Sequence, residues 1–302
     1  MENNFLFAPF AVYEGAENAS VPQADSLNLV GVGFDGTVCF RKGASEGPAA
    51  IRRVSESLES YSPYLDLDLE EVGRFYDLGD LAVTSSGDPH RDWQSLKLSF
   101  ADLAASAPES SRFLVMGGEH SISCLFIERC LALYPDLLLL HLDAHADLRD
   151  GYQGFDYSHA SAIRRCLDHF GPGHRLAQFG IRSGTRDEFD QMRTARTLYD
   201  GFNDFIAFLD EISAERPVYL TLDLDFFDPA YLPGTGTPEA GGEDFQSFIG
   251  IVKVLKEKNL VGADVVELAP SIDPTGNSEV FGAKVVRELI LAMHGEESRV
   301  RR

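Results

Sequence analysis

Basic residues are scarce in this sequence. Its 302 residues carry 26 Lys and Arg against 48 Asp and Glu, which leaves a formal net charge of −22. A chain with so few cations is poorly suited to neutralising phosphates, so we expect neither nucleic acid nor an anionic membrane surface as a partner. The same balance would attract a small cationic ligand, although most of the excess acid is expected only to keep the protein soluble.

Cysteine and long apolar runs are also scarce. The four cysteines show no CxxC spacing, and in a chain of this length they predict reduced thiols in a cytoplasmic protein. Near the middle of the chain the longest wholly apolar run is residues 137–140, far short of the roughly 20 residues that a membrane span needs. The N-terminus lacks a basic segment ahead of an apolar one, so no signal peptide is predicted.

Short apolar runs alternate with amphipathic stretches along most of the chain. The runs predict strands at residues 27–34, 113–116, 137–142, 174–181, 217–224 and 261–268. Helical patterns occupy about 91–105, 122–134, 160–170, 203–214, 244–258 and 278–294, and Pro48 marks one more helix start. This alternation predicts an α/β protein with a mainly parallel sheet between helix layers. We expect an N-terminal arm at residues 1–26 and a single domain at residues 27–302, because no linker divides the latter.

Polar side chains follow several of the predicted strands. In parallel sheets ligands bind at the carboxyl ends of the strands. The groups found at such ends are His120, Asp143, His145, Asp147, Asp223, Asp225 and Glu267. The sequence therefore predicts one shared site.

The spacing within these segments predicts a metal centre. Alternate side chains of an extended segment point to one side, so Asp143, His145 and Asp147 would face one space, as would Asp223 and Asp225. Either segment on its own would more often be a solvated loop or a helix cap. Carboxylates held this close together, however, repel one another and cost free energy unless a cation lies between them. Together with His120 these residues make six imidazole or carboxylate ligands and no thiolate. Such a set suits divalent ions, and six ligands are too many for one tetrahedral zinc.

The ligand set thus favours two bridged ions, which would acidify a water molecule between them into hydroxide. Manganese is the preferred candidate for these ions, and zinc, cobalt, nickel and iron remain alternatives. His159 would line the same mouth, where an imidazole suits proton transfer, unless it is a helix-start histidine without a role. Glu267 would need a partner if buried, such as a cationic substrate group, unless it merely caps a neighbouring backbone.

Several segments together resemble the ureohydrolase family, which comprises arginase, agmatinase and their relatives. The resemblance covers about residues 27–292, and its motifs are residues 47–52 (GPAAIR), 117–121 (GGEHS), 141–147 (HLDAHAD), 158–159 (SH), 221–229 (TLDLDFFDP), 233–239 (PGTGTPE) and 266–270 (VELAP). The resemblance implies an arginase-like three-layer α/β/α fold, a homo-oligomer (trimer or hexamer) and two Mn²⁺ per chain. The implied ligands are His120, Asp143, His145, Asp147, Asp223 and Asp225. Asp147 would also accept a proton, His159 would shuttle protons, and Glu267 would hold the substrate guanidinium.

Within the family the chain is most similar to agmatinases. Arg149 occupies a position where arginases usually have Asn, and residues 157–161 (YSHAS) replace the His-Gly-Met-Pro pattern of an arginase loop. This resemblance implies hydrolysis of agmatine to putrescine and urea, a step of polyamine biosynthesis. Two departures from the common pattern are Glu119 in place of Asp, and Ala160 in place of Gly, which would narrow the pocket.

Other substrates and classes remain open. Arg149 could pair with a carboxylate, which keeps 4-guanidinobutyrate, guanidinopropionate, arginine and formiminoglutamate as alternatives. A metal-dependent amide deacetylase would have a similar architecture but a single zinc, which the complete set of six ligands disfavours. A non-catalytic metal- or polyamine-binding regulator is disfavoured by the presence of His159 and Glu267.

Overall fold

The computed structural model describes residues 6–7 and 11–294. Residues 1–5 and 8–10 of the predicted arm, and residues 295–302 of the predicted domain, lie outside the described residues. Among the helices that are described, none combines the length and apolarity that crossing a bilayer requires.

The described residues form twelve strands and eight α-helices. The strands are β1 (Leu6–Phe7), β2 (Glu17–Asn18), β3 (Leu27–Val32), β4 (Tyr61–Ser62), β5 (Leu67–Asp68), β6 (Phe75–Leu81), β7 (Arg112–Gly117), β8 (Leu138–Leu142), β9 (Arg175–Phe179), β10 (Leu198–Tyr199), β11 (Pro217–Asp223) and β12 (Asn259–Val266). The helices are α1 (Gly47–Ser55), α2 (Pro89–Ser106), α3 (Ser123–Leu133), α4 (Ala162–Leu167), α5 (Arg186–Ala195), α6 (Phe202–Glu211), α7 (Phe245–Leu255) and α8 (Asn277–Met293).

Ten of these strands form one sheet. Its order is β1-β6-β3-β7-β12-β11-β8-β9-β10, with β2 also paired to β6, and β4 and β5 form a separate two-stranded ribbon. Only β1 runs antiparallel to its neighbour within this described sheet. The central strands β7, β12, β11 and β8 therefore present their carboxyl ends side by side.

Helices cover both faces of the sheet. Alternate residues of β8 point to opposite faces, so Leu138 and Leu140 join one apolar cluster and Leu139 joins the other. Side chains of α1, α6, α7 and α8 complete the first cluster, and those of α2, α3, α4 and α5 complete the second. The predicted three-layer α/β/α architecture with a mainly parallel sheet is confirmed.

The six strands and seven helices predicted from the sequence are all present, but the pattern missed β6, α5 and the two-residue strands β1, β2, β4, β5 and β10. Two aspartates and a glycine interrupt the apolar run of β6. One of them, Asp77, is fully buried because Arg52 of α1 grips both of its carboxylate oxygens, at 2.8 and 2.9 Å. Helix α5 is largely polar, and a capping box between Thr185 and Glu188 marks its start.

The described part of the predicted arm packs against the sheet. Strand β2 pairs with β6, and the buried Tyr13 donates its hydroxyl hydrogen to the carbonyl of Ala283 in α8 at 2.8 Å. The backbone N–H of Tyr13 also donates to Asp77 at 3.0 Å. These contacts tie the segment to the same core as the rest of the chain.

Candidate active site

The predicted site residues meet at the carboxyl-terminal edge of the sheet. His120 follows β7, Asp143 follows β8, Asp223 ends β11 and Glu267 follows β12. These four strands are direct neighbours in the sheet. The polar residues therefore converge from segments that are distant in sequence, as the position of parallel strand ends predicted.

His120 is at the centre of the cluster. Its Nε2 lies 2.8 Å from the hydroxyl of Thr221, which in turn donates to the buried Asp264 at 2.7 Å. Because the Thr221 proton is committed to Asp264, His120 donates from Nε2, and its Nδ1 faces the carboxylates with a free lone pair. That Nδ1 lies 3.0 Å from Asp143, 3.2 Å from Asp147 and 3.3 Å from Asp223, yet it is buried without a hydrogen-bond partner. An orphaned ring nitrogen facing three carboxylates fits a metal ligand.

A second group of ligands adjoins the first. His145 places its Nδ1 2.9 Å from Asp225 and 3.6 Å from Asp143. Asp143 thus belongs to both groups of side chains that could hold an ion. The arrangement fits two neighbouring divalent cations that share Asp143, with oxygen and imidazole donors only.

Burial and mutual contact shift the pKa values of the carboxylates and of His145 in this cluster. Burial, and then repulsion from Asp225 and Asp143, raises the pKa of Asp223, while burial and repulsion from Asp143 raise the pKa of Asp225. Burial lowers the pKa of His145, but Asp225 and Asp143 outweigh it and raise that pKa to about 12. Divalent cations bound between these side chains would neutralise the carboxylates.

His141 joins this cluster, although it was not among the predicted ligands. Its Nε2 lies 2.8 Å from Oδ2 of Asp143, and its Nδ1 lies 3.1 Å from the side-chain amide of Gln178. With Gln178 donating to Nδ1, His141 donates from Nε2 to Asp143 and orients that carboxylate. The alternation of β8 would have found it, since His141 precedes Asp143 by two residues and shares its face.

Two site residues adopt a backbone conformation that non-glycine residues rarely take. The φ angle is +53° at Asp147 and +66° at Glu267. Such strain costs roughly 1–3 kcal/mol per residue and persists where the surrounding structure enforces it. At Glu267 the backbone N–H donates to Gly118, and its carboxylate accepts the His120 backbone N–H at 2.9 Å. Burial and then the neighbouring Glu119 raise the pKa of Glu267 well above its usual value.

His159 lies in the same pocket as the ligand cluster and Glu267. It starts a short 3-10 turn ahead of α4, and burial lowers the pKa of its imidazole. Its Nδ1 lies 3.3 Å from the hydroxyl of Thr37, which also contacts the buried Glu119. Burial raises the pKa of Glu119 to about 7, although hydrogen bonds from Thr37 and Ser121 oppose that rise.

The pocket has a volume of about 250 Å³, and Arg149 and Tyr152 line it together with residues of the cluster. The Arg149 guanidinium stacks on the Tyr152 ring at 4.5 Å from its centroid. Its Nε also lies 3.9 Å from the buried carboxylate of Glu188. Arg149 is therefore already opposed by an acid at the pocket wall. The predicted narrowing residue, Ala160, lies in the lining as well.

This site defines a class of protein: an α/β enzyme with a candidate two-metal centre beside an acid-lined pocket. A sequence model described as the Arginase family matches residues 25–292, and the chain belongs to that family. The predictions of the family and of a hydrolase acting on C–N bonds of linear amidines are confirmed.

Individual relatives agree with this assignment. The agmatinase of Bacillus cereus is 39% identical over 269 residues, which cover 87% of this chain and 90% of that protein. The N(1)-aminopropylagmatine ureohydrolase of Thermococcus kodakarensis is 38% identical over 252 residues, 82% of this chain and 84% of that protein. The crystal structure of the agmatine ureohydrolase of Thermoplasma volcanium is similar with a TM-score of 0.78 at 29% identity, covering 97% of each chain.

Proposed function

We propose that this protein is an agmatinase, which hydrolyses agmatine to putrescine and urea at a binuclear metal centre. One observation carries the proposal: the buried carboxylate of Glu267 shares a pocket with the ligand cluster around His120. A cationic guanidinium would neutralise that carboxylate, and its carbon would then lie beside the metal ligands. The agmatinases among the similar proteins support the same activity.

The proposed metal ligands are His120, Asp143, His145, Asp147, Asp223 and Asp225. Oxygen and imidazole donors without thiolate suit Mn²⁺, so we propose two Mn²⁺ per chain. When bound, two such ions lower the pKa of a water molecule so that it attacks as hydroxide, and they stabilise developing negative charge. The positive φ of Asp147 turns its carboxylate towards His120, where it can also accept the proton that this water loses.

Glu267 and His159 are proposed to act on the substrate directly. Glu267 holds the guanidinium through charge-assisted hydrogen bonds. Attack of hydroxide on the guanidinium carbon gives a tetrahedral intermediate, and breaking its C–N bond releases the alkylamine. His159 donates a proton to that nitrogen, because an amine leaves poorly as an anion.

The pocket wall around Arg149 favours a cationic substrate tail. Arg149 was the one residue that argued for a carboxylate-bearing substrate. Its guanidinium lies over the Tyr152 ring and 3.9 Å from the Glu188 carboxylate, so an acid of this chain partly offsets the attraction that Arg149 would exert on a substrate carboxylate. The alternatives are 4-guanidinobutyrate, guanidinopropionate, arginine and formiminoglutamate, all of which carry a carboxylate. A substrate with a longer polyamine tail is an alternative whose tail is cationic, like that of agmatine. The relative from Thermococcus kodakarensis is named for such a compound, N(1)-aminopropylagmatine.

Three further assignments belong to this proposal. Residues 27–302 form the catalytic domain, with residues 1–26 as an N-terminal arm; the packing of Tyr13 on α8 supports a structural role for the arm. We also propose a cytoplasmic homo-oligomer, trimeric or hexameric as the family resemblance implies, that serves polyamine biosynthesis. Native mass spectrometry of the purified protein tests the oligomeric part.

Product analysis tests the activity itself. Protein reconstituted with Mn²⁺ is incubated with agmatine, and urea and putrescine are quantified separately. We expect the two products in equal amounts, and none after chelation of the metal. Agmatine consumption without urea, or urea formation that chelation leaves unchanged, would refute the proposal.

A further inference from the structure

Thr37 joins two groups that no motif connects. It lies in the loop between β3 and α1 and is buried. Its hydroxyl oxygen lies 2.5 Å from Oε1 of Glu119 and 3.3 Å from Nδ1 of His159. The backbone N–H of His159 also points at that oxygen, at 3.2 Å. A buried carboxylate is thereby linked through one hydroxyl to the histidine of the pocket.

The hydrogen bonds around Glu119 fix the direction of this chain. In its ionised form the Glu119 carboxylate can only accept. It accepts the Thr37 backbone N–H at 2.8 Å, the Ser121 hydroxyl at 2.7 Å and the Thr37 hydroxyl at 2.5 Å. The single proton of the Thr37 hydroxyl is thus committed to Glu119. Its oxygen can then serve His159 only as an acceptor, so the neutral imidazole must carry its proton on Nδ1.

We propose that Glu119 and Thr37 are positioning residues that hold neutral His159 as the Nδ1–H tautomer and leave Nε2 for proton transfer. This rests on the proposed role of His159 as the proton donor to the departing amine. When imidazolium gives its Nε2 proton to the alkylamine nitrogen, the electron pair of the N–H bond stays on Nε2. The Nδ1–H remains bonded to Thr37, so the ring keeps its orientation through the step.

The tautomer can be measured without substrate or metal. Long-range ¹H–¹⁵N spectra of metal-free, ¹⁵N-histidine-labelled protein at about pH 8.5 distinguish the two nitrogens of a neutral imidazole, and His159→Gln identifies the signals. We expect the Nδ1–H tautomer in the wild type and in Thr37→Ser, which keeps the hydroxyl. Thr37→Val has no acceptor there, so we expect its tautomer preference to be lost. An Nε2–H tautomer in the wild type, or an unchanged tautomer in Thr37→Val, would overturn the proposal.

Kinetics then separate a positioning role from a merely structural one. With the guanidino compound that yields urea fastest, we expect Thr37→Val to lower kcat about 10- to 100-fold. Its KM should stay within about twofold of the wild-type value and its metal content should not change. Thr37→Ser should recover most of kcat. A loss of metal, or an equal loss in both variants, would show that Thr37 only supports the loop. If agmatine proves to be the wrong substrate, the tautomer result is unaffected, so the two proposals fail separately.

Discussion

Asp143 and His120 join two strands of the sheet at the centre of the site: Oδ2 of Asp143 lies 3.0 Å from Nδ1 of His120. The other oxygen of Asp143 lies 3.6 Å from Nδ1 of His145. One carboxylate therefore serves both halves of the candidate metal centre. Loss of a ligand from either half should therefore affect both ions that the centre would hold, because Asp143 belongs to both groups of ligands.

Removal of one ligand from each half tests the two-metal assignment. We expect the Mn²⁺-loaded wild type to hold two ions per chain by elemental analysis. His120→Asn and Asp225→Asn should each lose about one ion or more and lower kcat by roughly 100-fold or more. Asp136→Asn, which changes an exposed acid before β8, is the control and should match the wild type. Full activity with unchanged metal content in either ligand variant would exclude the assignment.

Glu267 should bind the substrate and not the metals. Glu267→Gln keeps the size of the side chain but removes its charge, so we expect kcat/KM for agmatine to fall roughly 10- to 100-fold. Metal content should stay at the wild-type value. Steady-state urea release and elemental analysis on the same sample check both parts. An unchanged kcat/KM in Glu267→Gln would show that Glu267 does not bind the substrate guanidinium.

The buried pair between Arg52 and Asp77 should dominate the stability of the sheet edge. Arg52→Met leaves Asp77 as an uncompensated buried charge, which we expect to cost about 3–5 kcal/mol of unfolding free energy. The matched control is Arg53→Met, because Arg53 is 60% exposed and pairs with Glu279 on the surface. That pair should contribute less than about 1 kcal/mol. Urea denaturation of both variants measures the difference, and equal losses would contradict this explanation.

The sequence predicted the strands and the site best where apolar runs end in polar residues. For β8 and β11 the run and its carboxylates are adjacent in the chain, so the pattern alone located Asp143 and Asp223. The apolar pattern did not predict strand β6, because the burial of Asp77 in it depends on Arg52, which belongs to helix α1. The sequence did not identify Thr37 as a site residue for the same reason, because its partners Glu119 and His159 come close to it only in the folded chain.

Acid should weaken the contribution of Asp273 to the start of α8. Burial alone would raise the pKa of Asp273, but hydrogen bonds from Ser278 and Thr275 outweigh it and lower that pKa from the ordinary 3.8 to about 2. A folded-state pKa below the unfolded value stabilises the fold above the unfolded pKa, and this stabilisation is lost as the pH falls through the folded value.

We therefore expect Asp273→Asn to be less stable than the wild type at neutral pH. The gap in unfolding free energy should narrow as the pH is lowered from about 4 towards 2. Chemical denaturation at a series of pH values measures it. A gap that widens in acid would contradict the assigned hydrogen bonds.

We propose that the pocket selects a guanidinium with a cationic tail. Side-by-side urea release from agmatine, arginine and 4-guanidinobutyrate on the same Mn²⁺-loaded sample tests it most directly. With Arg149 opposed by Glu188, we expect agmatine to have the highest kcat/KM of the three. A higher kcat/KM for 4-guanidinobutyrate or arginine would show that the pocket recognises a carboxylate, and would contradict the account.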